Sequence, residues 1–184
     1  HDQSSAASDV YKRQYDDCLG HPAWFAPPEW LGAAEDTYPL HLLSNQPRTK
    51  LHSQLDQGPV AAAAKIKGRE EVQMHKDDAA ARGIEDGDII RLFNARGAIY
   101  VGVRITDQIR HGVVMVPTGA WLDLDKDDPE LCKHGNPNML APDRPTSKLA
   151  QGPAAHSCLV QAEAVDQTRL PEVTAFIPPV IEKG

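Results

Sequence analysis

The run IEDGDIIRLFNARGAIYVGVRITDQIRHGVVMVP, from Ile84 to Pro117, leaves this chain few choices of fold. Ile89–Phe93, Ile99–Ile105 and Val113–Val116 are rich in β-branched residues, whose stiff side chains suit a pleated strand better than a helix. Between them stand Asp86-Gly87, Asn94 to Gly97 and His111-Gly112, residue types that accept the backbone of a tight turn. Short strands spaced this closely read as a small barrel, a shape that leaves no unpaired strand edge.

The rest of the chain is read around that run. Tyr38–Ser44 (YPLHLLS) alternates and is apolar enough for a buried strand, and Ser157–Glu163 (SCLVQAE) is the last strand candidate. Residues 77–83 (DDAAARG) predict a short helix with Asp77 at its N-cap and Gly83 at its end. The expected architecture is therefore one mostly-β domain with a few short helices, spanning residues 38–165. Residues 1–14 are polar, without amphipathic period, and read as a disordered leader or cloning remnant. Residues 15–37 carry Trp24, Phe25 and Trp30 among prolines, the composition of a linker that packs on a neighbouring upstream domain. Residues 166–184 hold Pro171, Pro178 and Pro179 and read as an extended C-terminal arm.

A net charge of −7 argues against a nucleic-acid surface, which needs clustered positive charge. No run is long and apolar enough for a membrane-spanning helix, and no apolar leader is visible. Three cysteines far apart suggest no disulfide framework and favour a reducing compartment, the cytoplasm ahead of the periplasm.

Familiar site motifs fail. Neither GxGxxG nor GxxxxGK[ST] occurs, and no GxSxG marks a nucleophile. The acidic run from Asp123 to Asp128 mimics the start of an EF-hand, but Asp128 stands where glycine is required and His134 where glutamate is, so it reads as a solvated loop. The histidines form no zinc-ligand spacing. None of these patterns marks a catalytic residue or a metal ligand.

Three loops are richer in amides than ordinary turns: Ser44–Leu55, His134–Leu140 and Thr146–Pro153. Side-chain amides both donate and accept, which suits a heterocycle whose edge offers both, while hydroxyl and backbone N–H groups suit phosphate oxygens. Singly, each loop is explained by turn and cap chemistry. Together they suggest a polar ligand.

The segments YPLHLLSNQPRTKLHSQLDQG, GAWLDLD, CKHGNPNML and TSKLAQG, in this order around the strand run, resemble the last domain of the dimethyl-sulfoxide-reductase family. Within it they sit nearest the biotin sulfoxide reductase branch, then the trimethylamine N-oxide reductase branch. The resemblance covers residues 15–182. It implies a six-stranded double-psi β-barrel of the aspartate-decarboxylase type that covers one side of a bis(molybdopterin guanine dinucleotide) molybdenum cofactor. Ser44, Asn45, Gln46 and Pro47 would lie along that cofactor, with Arg48 against a phosphate. His52, Ser53 and Gln54 would reach the pterin or its phosphates, and Asn138 and Gln151 would bond the pterin edge. Lys50 stands beside the LHSQ motif as a cation without the bidentate fork of an arginine.

The reaction implied is reduction of a small S-oxide or N-oxide, performed by the cofactor, with the catalytic domains upstream as partners and the isolated chain inactive. The alternative is a free-standing double-psi barrel that docks a protein partner through Trp24, Phe25 and Trp30.

Overall fold

The computed structural model describes residues 16, 17, 19 and 21–177. The 1–14 leader, Cys18 and the arm beyond residue 177 lie outside them.

Seven strands form in chain order: β1 (Leu40–Leu43), β2 (Glu71–His75), β3 (Ile89–Asn94), β4 (Gly97–Thr106), β5 (Val113–Met115), β6 (Leu131–Cys132) and β7 (Leu159–Ala164). Six of them close in the cycle β1–β5–β2–β4–β3–β7 and back to β1, with β6 added outside against β4. The pairs β1–β5 and β2–β4 are parallel and the remaining four contacts of the cycle antiparallel. Parallel neighbours cannot be joined by a hairpin, so long connections must cross over the barrel ends. This closed mixed barrel is the double-psi pattern expected, and the strand run from Ile84 to Pro117 supplies half of it.

The core follows from alternation. β1 and β2 bury every second residue, Leu40 and Leu42 in one and Val72 and Met74 in the other. β4 is buried on both faces over most of its length, because other segments cover its outer side. A Cβ on Gly102 would lie 2.3 Å from the Ile66 Cβ, so the outer covering is laid directly on the β4 backbone.

Three elements escaped the sequence reading. β2 (EVQMH) has only two apolar side chains and alternates with charge, too weak a pattern to stand out. A helix at Pro59–Ala64 has Pro at its first turn, and β6 is two residues long. The predicted helix near residue 77 forms at Lys76–Ala80, but its cap is corrected. His75, not Asp77, is the N-cap, its Nδ1 accepting from the Asp77 N–H at 3.2 Å.

The aromatic segment before the barrel is held to it through Glu29. Arg96 clasps both Glu29 carboxylate oxygens at 2.6 and 2.8 Å, and the Leu159 N–H donates to the same group. Trp24 nevertheless remains 71% exposed. The segment after β7 crosses the barrel: Arg69 donates to the Pro171 carbonyl, Thr174 to Asp123, and Phe176 packs edge-to-face on Trp121 and His134. Asp123 thereby departs from the solvated loop expected. It is buried between Thr174 and Lys133, whereas Asp127 and Asp128 are exposed.

Candidate functional site

Because β1 and β5 run parallel, the chain leaves both at the same end of the barrel. Two loops therefore start side by side, one after Leu43 and one after Met115. They are stitched together by backbone bonds, Val116 N–H to the Leu43 carbonyl and Thr118 N–H to the Asn45 carbonyl, each 2.9 Å. Further on they touch again. Gly119, at φ +94°, lies so close to the first loop that a Cβ there would stand 1.8 Å from the His52 carbonyl oxygen.

The first loop carries strain where it makes this contact. His52 and Leu55 adopt φ of 50° and 63°, a conformation that costs a non-glycine residue about 1 kcal/mol or more. What holds it is a buried ionic cluster beneath. Asp56 accepts from Lys50 at 2.7 Å and Lys65 at 2.8 Å, and Glu70 accepts from the same two lysines. All four side chains are nearly sealed, from 0% exposure at Asp56 to 6% at Glu70. Two cations face two anions, so the cluster is neutral, as a buried charge group must be.

The second Asp56 oxygen accepts the backbone N–H of Trp121 at 3.0 Å, which ties the second loop to the same carboxylate. The Trp121 indole N–H donates in turn to the Ser53 carbonyl at 2.8 Å. His134 lies fully buried against this cluster, its Nδ1 within hydrogen-bond distance of the Trp121 carbonyl at 3.0 Å and 3.8 Å from Asp56. Its Nε2 is buried with no hydrogen-bond partner among the described residues.

Two titrations follow from this packing. Burial works to raise the Asp56 carboxyl, but the two lysines and the Trp121 N–H outweigh it and hold the group below the ordinary aspartate value. Burial first, then the Lys65 charge, push His134 below the ordinary histidine value, against the opposing pull of the Trp121 carbonyl and Asp56.

Between the loops opens a cleft of about 500 Å³ lined by His52, Ser53, Thr118, Gly119, Ala120, Trp121, Leu122, Asn136 and Asn138. Of the ten residues singled out from sequence, His52, Ser53 and Asn138 meet here. Asn45, Pro47 and Arg48 line a second cleft of about 490 Å³ with Thr49, Glu70, Glu71 and Gln73. The Asn45 Oδ1 is buried and has no hydrogen-bond partner among the described residues. Ser44, Gln46, Gln54 and Gln151 line neither cleft. The Ser44 N–H donates to His156 at 3.4 Å and the Gln46 amide to the Lys50 carbonyl. Gln54 is exposed, and Gln151 folds back on the Ser147 and Lys148 carbonyls of its own loop.

Lys50, left beside the LHSQ motif with no defined partner, belongs to the scaffold under the loop. Thr118, Gly119, Trp121 and Asn136 escaped the sequence reading as site residues. Only a glycine two residues before a tryptophan in a short connection hinted at a close approach.

A donor set of imidazole, hydroxyl and amide groups with one orphaned carbonyl oxygen fits a ligand rich in ring nitrogens and phosphate oxygens. The profile of the family described as "Molydopterin dinucleotide binding domain" matches residues 40–159, from the first strand of the barrel to the last. The chain belongs to that family. The match takes in both clefts and the cluster beneath them.

As a molybdopterin-dinucleotide-binding domain, the chain is 49% identical over 151 residues to biotin sulfoxide reductase of Cereibacter sphaeroides, 82% of this chain and 20% of that protein. It is 43% identical over 173 residues to trimethylamine-N-oxide reductase of Haemophilus influenzae, 92% of this chain and 21% of the other. It is 40% identical over 175 residues to dimethyl sulfoxide/trimethylamine N-oxide reductase of Rhodobacter capsulatus, 94% and 21% respectively. The chain thus spans about a fifth of the length of the curated relatives it matches. Among solved structures, acetylene hydratase from Pelobacter acetylenicus superposes with TM-score 0.68 at 17% identity over 86% of this chain and 23% of its own, a likeness of fold alone.

Proposed function

We propose that this domain closes one side of a bis(molybdopterin guanine dinucleotide) molybdenum centre in an enzyme that reduces S-oxides or N-oxides. The observation that carries the reading is the cleft between the two stitched loops. It sets His52, Ser53, Thr118, Asn136 and Asn138 around one space, over a buried cluster that holds those loops still. The names of the relatives, which reduce biotin sulfoxide, dimethyl sulfoxide or trimethylamine N-oxide, support the reaction class.

When bound, the cofactor supplies the two-electron reduction of the S–O or N–O bond. The chain binds and orients it. His52, Ser53 and Asn138 hold one part, and Asn45 and Arg48 are placed along a second, where the guanidinium neutralises phosphate charge. Trp24 and Phe25, exposed on a segment anchored at Glu29, face the upstream catalytic domains. Rigid strands beneath the loops keep a large polar ligand in one orientation.

The test is a chimera in which the matching fifth of Cereibacter biotin sulfoxide reductase is replaced by this chain. Molybdenum and guanine nucleotide are measured against a folded His52→Ala, Ser53→Ala, Asn138→Ala variant. Full cofactor in the parent and loss in the variant is the expected result. Equal cofactor in both overturns the assignment of these residues and favours a protein-docking barrel. The chain by itself is expected to show no reductant-dependent sulfoxide reduction.

A further inference from the structure

We infer that Trp121 is a positioning residue, setting the spacing of the two loops that form the cleft through its two N–H groups; the inference rests on the reading of that cleft as the cofactor site. The backbone N–H is taken by Asp56 and the indole N–H by the Ser53 carbonyl, so one residue spans from the buried cluster to the LHSQ loop. The contact lies one residue from His52, whose left-handed backbone is held against Gly119 on the other side of the same strut.

Nothing else bonds the tip of the loop to the second loop by a side chain, among the described residues. The strained backbone at His52 and Leu55 relaxes toward ordinary φ values unless an outside contact opposes it. The ionic cluster opposes it from beneath, and the indole adds the contact at the tip of the loop. Its ring is in turn braced edge-to-face against Phe176, at 5.3 Å between centroids, so the strut cannot swing freely. Opening the gap by even an ångström would separate Ser53 from Asn138 across the cleft, and a ligand held from both sides loses one set of bonds.

Trp121→Phe removes the indole N–H while keeping an aromatic ring beside Phe176 and the backbone bond to Asp56. Replacing the indole by benzothiophene at the same position does so without changing the bicyclic shape. Both are read in two ways. Amide hydrogen exchange of residues 51–55 in the full chain is expected to quicken by about three- to tenfold, the worth of one hydrogen bond, while the strands keep their protection. Cofactor content of the chimera is expected to fall several-fold while the melting temperature drops by no more than about 5 °C.

Unchanged exchange in both variants overturns the inference, whatever the cofactor does. Faster exchange with full cofactor also overturns it, provided a His52→Ala, Ser53→Ala variant loses cofactor. Should that variant keep its cofactor too, the cleft reading itself falls, and the inference with it.

Discussion

Removing the Asp56 carboxylate should cost this domain more than any other single side-chain deletion at the site. Asp56→Ala leaves Lys50 and Lys65, at 1% and 3% exposure, facing one remaining carboxylate. Breaking a buried ionic group by deleting one partner costs about 3–5 kcal/mol, because a charge is left unpaired away from water. At about 2–4 °C per kcal/mol for a domain of this size, the melting temperature should drop by roughly 6–20 °C. The reasoning also fixes the sign of a second change. Adding Lys65→Met to Asp56→Ala restores charge balance, leaving Lys50 paired with Glu70, and should recover about half of the loss. Differential scanning calorimetry of the three proteins at pH 7.5 decides it. A drop under about 3 °C for Asp56→Ala, or a further drop on adding Lys65→Met, would falsify the view that unpaired charge rather than lost packing dominates here.

Further expectations follow from individual residues. His134 binds its proton less readily when folded than when unfolded, so the unfolded chain takes up more protons below about pH 6.5 and stability falls as the pH drops, by up to about 1.4 kcal/mol per unit. His134→Gln should flatten that part of a melting-temperature profile between pH 7.5 and 5.5, and an unchanged slope would assign the acid sensitivity elsewhere. Burial pushes the Cys158 thiol up to about 11, only partly opposed by Arg96, so in the native chain at pH 8 it should resist iodoacetamide and react once urea unfolds it. Peptide mapping by mass spectrometry reads this directly, and rapid native labelling at Cys158 would contradict the packing. Gly119→Ala puts a methyl group into the His52 carbonyl at a φ of +94°, and should cost more than about 1–3 kcal/mol in chemical denaturation while the chimera loses cofactor. A neutral outcome would mean the two loops are not in contact.

The sequence by itself determined the barrel. β3, β4, β5 and β7 were legible because their β-branched runs and the glycines between them act locally, through backbone preferences that need no partner. The LHSQ and NPN segments stood out as amide-rich polar loops because their side-chain chemistry is unusual for a turn, and only the family resemblance tied them to a cofactor. β2 was invisible, since a strand with two apolar residues is stable only between β4 and β5, neighbours that closure of the barrel supplies. The same holds for the interior of the site. Lys50, Asp56, Lys65 and Glu70 are four charged residues spread over a polar stretch, and any one of them alone reads as solvated surface. Only the crossing of the loop over the barrel end removes them from water together, and burial then makes their mutual pairing obligatory. Trp121 and Gly119 acquire their roles the same way. The parallel pairing of β1 with β5, strands far apart in the chain, sets two loops side by side, and loop spacing is a property of that pairing rather than of either segment.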